Sequence, residues 1–162
     1  MIRGNEDISE ALLNAFRLEK GAQTFYLSAA EQVSDESGSG MFRKLAGMEE
    51  KHMHEIYDLY NAFQGDRGPV SFQQFKEEMP ADFTESGRKI EAALSDVGGR
   101  FFLDSREVLQ VALAEEEAAR KLYLRLAERS EDPSAASLYR DLAEDENTHM
   151  AMVREVMERK GG

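Results

Sequence analysis

The sequence predicts an all-α protein: a four-helix bundle made of two repeated helical hairpins joined by one long crossover. Three observations lead there. Ala, Leu, Glu, Lys, Arg and Met dominate and only three prolines occur, so helix is the default state. Apolar residues recur at steps of three or four along four runs. The chain also repeats itself, without a gap, at an offset of 97 residues.

The first run covers about 6 to 34, with Ile8, Leu12, Ala15, Phe16, Glu19, Ala22, Tyr26, Ala29 and Val33 on one stripe, and "SDESGSG" interrupts it. The second, about 36 to 64, carries Phe42, Leu45, Met48, His52, Ile56, Leu59 and Phe63 and stops at "GDRGP". Asp104 and Glu107 suit a capping box for the third run, which continues through Val108, Val111, Ala112, Glu116, Ala119, Tyr123 and Leu126. Asp132-Pro133 then reads as an N-cap with proline at the first helical position, and the fourth helix runs to the "KGG" end. At 1.5 Å per residue each helix is roughly 40 Å long. Between the second and third lie residues 65–104, with "SFQQFKEEM" and "SGRKIEAALSDVG" as candidate short helices. An up-down turn needs only a few residues. A connection this long can return along the whole bundle, so the third helix starts at the end where the second began. That is the one-crossover, ferritin-like arrangement. The expected organisation is one domain over 1–162: hairpin one at about 6–64, crossover at about 65–104, hairpin two at about 105–160.

Composition narrows the function. The net charge of −12 disfavours nucleic acid or an anionic membrane as partner, because phosphate would be repelled. No apolar run approaches the roughly 20 residues of a membrane span. "MIRGNEDISEALL" lacks a signal-peptide core, so the expected compartment is the cytoplasm. With no cysteine, thiol catalysis, disulfides and Cys-ligated centres are excluded.

The repeat places chemistry. Leu12 falls on Leu109, Glu19 on Glu116, Ala22 on Ala119, Tyr26-Leu27 on Tyr123-Leu124, and Glu49, His52 and Met53 on Glu146, His149 and Met150. Like hairpins burying their apolar faces together tend towards a pseudo-twofold axis, so a residue near that axis enters the core twice. Residues i and i+3 share a helix face, so each Glu-x-x-His pair can aim both side chains at one point. Glu19, Glu49, His52, Glu116, Glu146 and His149 therefore converge at mid-bundle. Buried together, four carboxylates repel and would take up protons. Two divalent cations would neutralise them, and carboxylate oxygen with imidazole nitrogen suits iron or manganese and admits zinc. One Glu from each of two helices, with Glu-x-x-His from the other two, is the di-iron and di-manganese carboxylate pattern.

Competing readings are blander. With 22 Glu in 162 residues, about one His in seven has a Glu three before it by chance. A single pair would pass for a surface ion pair; two in matching frames do not. His54 has no histidine counterpart in the second half, where the repeat places Ala151, and it reads as polar surface. Glu115 and Glu117 read as solvated. Tyr26 and Tyr123 stand seven after Glu19 and Glu116. They read either as core packing, or as catalytic-site phenols that hydrogen-bond a ligand carboxylate or take part in redox.

With these residues placed, the chain resembles the rubrerythrin-like branch of the ferritin-like superfamily, the di-iron carboxylate proteins, without a rubredoxin domain. The likeness rests on "LEKGAQTFYLSAAE" with "FRKLAGMEEKHM" and on "EEEAARKLYLRLAE" with "YRDLAEDENTHM". It implies two iron ions per chain held by the six residues above, with Glu49 and Glu146 bridging. It also implies reduction of peroxide or dioxygen at the expense of a diferrous centre, and a homodimer. Lacking cysteine, the chain would need an external electron donor. Rubrerythrins usually carry a further Glu three residues after the helix-three ligand, where this chain has Ala119. Bacterioferritin shares the six-residue pattern, which keeps iron oxidation and storage as an alternative; its haem-binding Met would stand where this chain has Glu50. A non-catalytic bundle that holds zinc, or none, is the third reading.

Overall fold

Two helical hairpins, each stitched along its length by side chains, account for most of the molecule. The computed structural model describes residues 4–33, 36–64, 70–80 and 105–161. Its helices are α1 (Gly4–Gln32), α2 (Glu36–Ala62), α3 (Phe72–Glu78), α4 (Ser105–Arg129) and α5 (Pro133–Gly161). Their bounds follow the apolar periodicity. The Asp132 cap is formed as the sequence suggests, its Oδ2 accepting from the Ala135 N–H at 2.8 Å. Asp104 and the segment "SGRKIEAALSDVG" lie outside the described residues, so the capping box and the second crossover helix are not placed. No helix among the described residues is long and apolar enough to cross a membrane.

Cross-helix hydrogen bonds give the directions. Gln64 Nε2 donates to Ser9 Oγ at 3.0 Å, Gln23 Nε2 to Glu50 Oε2 at 2.8 Å, and Ser39 Oγ to the Ala30 carbonyl at 2.8 Å, so α1 and α2 are antiparallel. Between hairpins, Tyr26 reaches Glu116 while Tyr123 reaches Glu19, which makes α1 and α4 antiparallel as well. It follows that α4 starts at the end where α2 starts, as a returning crossover requires.

The core is split in two. One apolar cluster gathers Phe25, Tyr26, Phe42, Leu45, Leu109, Val153 and their neighbours. The other gathers Leu12, Phe16, Met53, Ile56, Tyr123, Tyr139 and Leu142. The mid-helix Glu and His positions fall between them in sequence on every long helix.

Helix α3 closes the second cluster from outside. Ser71 caps it, and Phe75 is buried edge-on to Phe16, with ring centroids 4.8 Å apart at 89°. Lys20 Nζ donates to the carbonyls of Lys76 at 2.5 Å and Met79 at 2.6 Å, satisfying groups at the C-terminal end where a cation is favoured. Lys76 in turn pairs with Glu50 at 2.6 Å.

Phe16 is fully buried and joins α1 to both Phe72 and Phe75. Phe16→Ala is expected to cost about 3–5 kcal/mol, the range for deleting a buried aromatic. Urea denaturation measures it; a loss below about 1 kcal/mol would mean that the crossover helix contributes little to the core.

Candidate metal centre

Six side chains predicted from the repeat meet at mid-bundle. Glu19, Glu49, Glu116 and Glu146 have no exposed surface, and His52 and His149 are buried with them. The helix frame explains why: Glu49 and His52 on α2, and Glu146 and His149 on α5, are each one turn apart on the inward stripe. Helices α1 and α4 supply one Glu each.

The distances sort the carboxylates into two kinds. Ligand atoms of Glu19, Glu49, His52 and Glu146 lie within 4.8 Å of one another, as do those of Glu49, Glu116, Glu146 and His149. Glu49 and Glu146 belong to both sets. Glu49 places Oε2 at 3.5 Å from His52 Nδ1 and Oε1 at 3.6 Å from His149 Nδ1. Glu146 places Oε1 at 3.6 Å from His52 Nδ1 and Oε2 at 3.4 Å from His149 Nδ1. Each shared carboxylate thus turns one oxygen to each imidazole. Glu19 and Glu116 turn only Oε2 inward, at 3.3 Å from His52 Nδ1 and 3.2 Å from His149 Nδ1.

The outer oxygens of those two are taken by tyrosine. Tyr26 donates its hydroxyl to Glu116 Oε1 at 2.5 Å, and Tyr123 donates to Glu19 Oε1. Of the two sequence readings, the structure brings both phenols onto candidate ligand carboxylates, each across to the other hairpin. Tyr26 also stacks on Phe42, and Tyr123 on Tyr139.

Three features were not legible from the motifs. Asp145 Oδ2 lies 3.2 Å from His52 Nε2, a contact between α2 and α5 that neither helix pattern announces. Only its place one residue before Glu146 could have drawn attention to it. Glu115, expected in solvent, is instead buried at 4% exposure. A two-faced stripe assigns it outward because it sits about 100° around the helix from Glu116, and its repeat counterpart, Leu18, is only half-buried. Glu117 does face solvent in part, pairing with Arg120 at 2.9 Å. His54 is exposed and stacked on Phe72 at 3.6 Å, as befits surface.

The third is the charge favoured at His52. Burial pulls the His52 imidazolium down, but the neighbouring Glu19 and Asp145 carboxylates outweigh it and raise the pKa to about 10. Burial pushes the Glu19 carboxyl up, yet the His52 charge and hydrogen bonds with Glu49, His52 and Tyr123 hold it below the usual value. Without a cation the surrounding carboxylates therefore favour the protonated His52 imidazole.

The donor set fits divalent metal. Neither oxygen of buried Glu146 accepts a hydrogen bond, a costly state that a cation would relieve. The spacing of each set closes onto an ion at about 2.0–2.2 Å with small side-chain movements. Hard oxygen with imidazole nitrogen suits a divalent ion such as iron, manganese or zinc.

Comparison with known proteins agrees with this geometry. The chain matches the Rubrerythrin family over residues 10–95 and 107–162, both hairpins included. A hypothetical protein from Pyrococcus furiosus has a similar structure, with a TM-score of 0.64 at 25% identity, covering 93% of this chain and 88% of that one. No curated protein matches at a significant level.

The metal-free protein should be most stable while His52 is charged. A pKa raised in the folded state contributes stability that is complete below the unfolded value of about 6.5 and is lost as pH rises through about 10. Urea midpoints of chelator-treated protein are expected to fall across that window, and a flat profile would mean that His52 is neutral throughout. Metal binding at Nδ1 should flatten the profile, since the ion replaces the proton.

Proposed function

The chain belongs to the rubrerythrin family, and from that premise we propose that it is a di-iron oxidoreductase that reduces peroxide or dioxygen. The observation that carries the reading is the pair of four-residue sets with Glu49 and Glu146 in common. Glu19 and His52 would complete one metal position, Glu116 and His149 the other. Iron held there would supply the two electrons that, with two protons, reduce peroxide to two waters.

The chain's own groups would prepare that step. Tyr26 and Tyr123 hold one oxygen of each outer carboxylate, leaving the other aimed inward. The apolar clusters on either side exclude water and strengthen the field between charges. His52 and His149 present Nδ1 to the carboxylates and must be unprotonated there to act as ligands. An external donor would supply the electrons that restore the ferrous state. We further propose a cytoplasmic homodimer rather than a storage cage. Glu50, standing where bacterioferritin would need its haem-binding Met, is engaged by Lys76 and Gln23.

Anaerobic loading with Fe(II), then peroxide and dioxygen in parallel, tests the reading, with sedimentation giving the assembly size. Two irons per chain are expected, oxidised within one turnover, with the stoichiometry reduced by Glu146→Ala. A native stoichiometry near one, unchanged by Glu146→Ala, would overturn the two-metal centre; a stable zinc form with no reaction of the iron form would leave a non-catalytic bundle.

A further inference from the structure

The internal repeat equates the two metal positions, yet one contact breaks the equivalence. His52 and His149 are repeat partners, stacked with ring centroids 5.2 Å apart and both turning Nδ1 to the carboxylates. On its far side, His52 Nε2 meets Asp145 Oδ2 at 3.2 Å. The residue that the repeat places opposite Asp145 is Met48, a thioether that accepts hydrogen bonds only weakly. Among the described residues, no carboxylate forms an ion pair with His149 Nε2.

We propose that Asp145 is a positioning residue that makes the two metal positions unequal, so that the position of Glu19 and His52 fills before that of Glu116 and His149. This rests on the two-metal reading above. A carboxylate accepting from Nε2–H fixes the tautomer that leaves the Nδ1 lone pair facing the site. It also holds the ring plane and makes the imidazole a better donor to a cation. His149 has its Nδ1 contacts with Glu116 and the shared carboxylates, but among the described residues no carboxylate holds its far nitrogen. Asp145 is well placed for such a role, because its side chain is 37% exposed and can carry its charge in contact with solvent while His52 stays buried.

The ordering has a use. A first ion at the His52 position would neutralise part of the charge on the shared Glu49 and Glu146, whose remaining oxygens then face the second position. The chain would load stepwise, with the second ion more readily exchanged.

Anaerobic titration of the metal-free protein with Co(II), followed by visible absorption and by heat, separates the cases. Two resolved steps are expected. Asp145→Asn should weaken the first by about 10- to 100-fold, the usual cost of losing such an outer partner, and merge it with the second. Met48→Asp should tighten the second step instead, a gain that misfolding cannot imitate. His52→Ala should remove the tighter step and His149→Ala the weaker one. Two ions bound with equal affinity, or steps unmoved by Asp145→Asn, would overturn the inequality alone. Fewer than two ions bound by the native chain would overturn the two-metal reading and this inference with it.

Discussion

Four carboxylates buried at one level of the bundle set the terms for the rest of the structure. Even after relaxation, taking such groups out of water costs several kcal/mol each, and like charges a few ångströms apart add to it. The chain meets that cost locally and in layers. Two imidazoles lie against the carboxylates, two phenols donate to the outer pair, and Asp145 supports one imidazole from behind. What remains is negative charge without enough donors, most visibly at Glu146. A divalent cation would relieve that excess, which is why the arrangement is costly without metal.

The repeat explains how so small a protein assembles this. One hairpin carries half of the centre and cannot bury it alone; the second hairpin supplies the other half and the covering surface together. The tyrosines link the halves, each donating to a carboxylate of the hairpin it does not belong to. Hairpin docking and formation of the centre are thus one event. The two halves have then diverged at chosen places: Phe42 faces Tyr26 where Tyr139 faces Tyr123, and Met48 stands where Asp145 does. Tyr139 is the stranger of these, a buried hydroxyl without a hydrogen-bond partner among the described residues.

What could be read from the sequence and what could not divide along a physical line. Helix extents, the returning crossover and the six convergent residues were legible because they depend on periodicity within a helix, and the repeat states each signal twice. The Asp145–His52 contact, the docking of Phe75 on Phe16, and the capping of α3 by Lys20 join positions far apart in the chain, so no local pattern encodes them. Glu115 failed for a related reason: a stripe says which face meets the bundle, and says nothing of what covers the other faces. The protonation of His52 is less local still, since it sums burial against two carboxylates from two different helices.

Ala22 and Ala119 are repeat partners that stand one turn beyond Glu19 and Glu116. They could serve close approach of the first and fourth helices, or leave space where rubrerythrins place a further carboxylate. Both are buried, but in different apolar clusters, Ala22 beside Phe25 and Ala119 beside Tyr123. The tightest packing between hairpins runs instead through α2 and α5, while α1 and α4 meet through the long Tyr26–Glu116 and Tyr123–Glu19 pairs. Small residues are therefore not what lets α1 and α4 approach. The division of labour follows from this spacing. The closely packed pair, α2 and α5, carries the shared carboxylates and both imidazoles on a rigid seam. The wider pair, α1 and α4, offers one carboxylate each, and neither has a spare donor one turn on. The outer oxygen of Glu19 and that of Glu116 could turn inward only by breaking the hydrogen bond from the tyrosine that holds it.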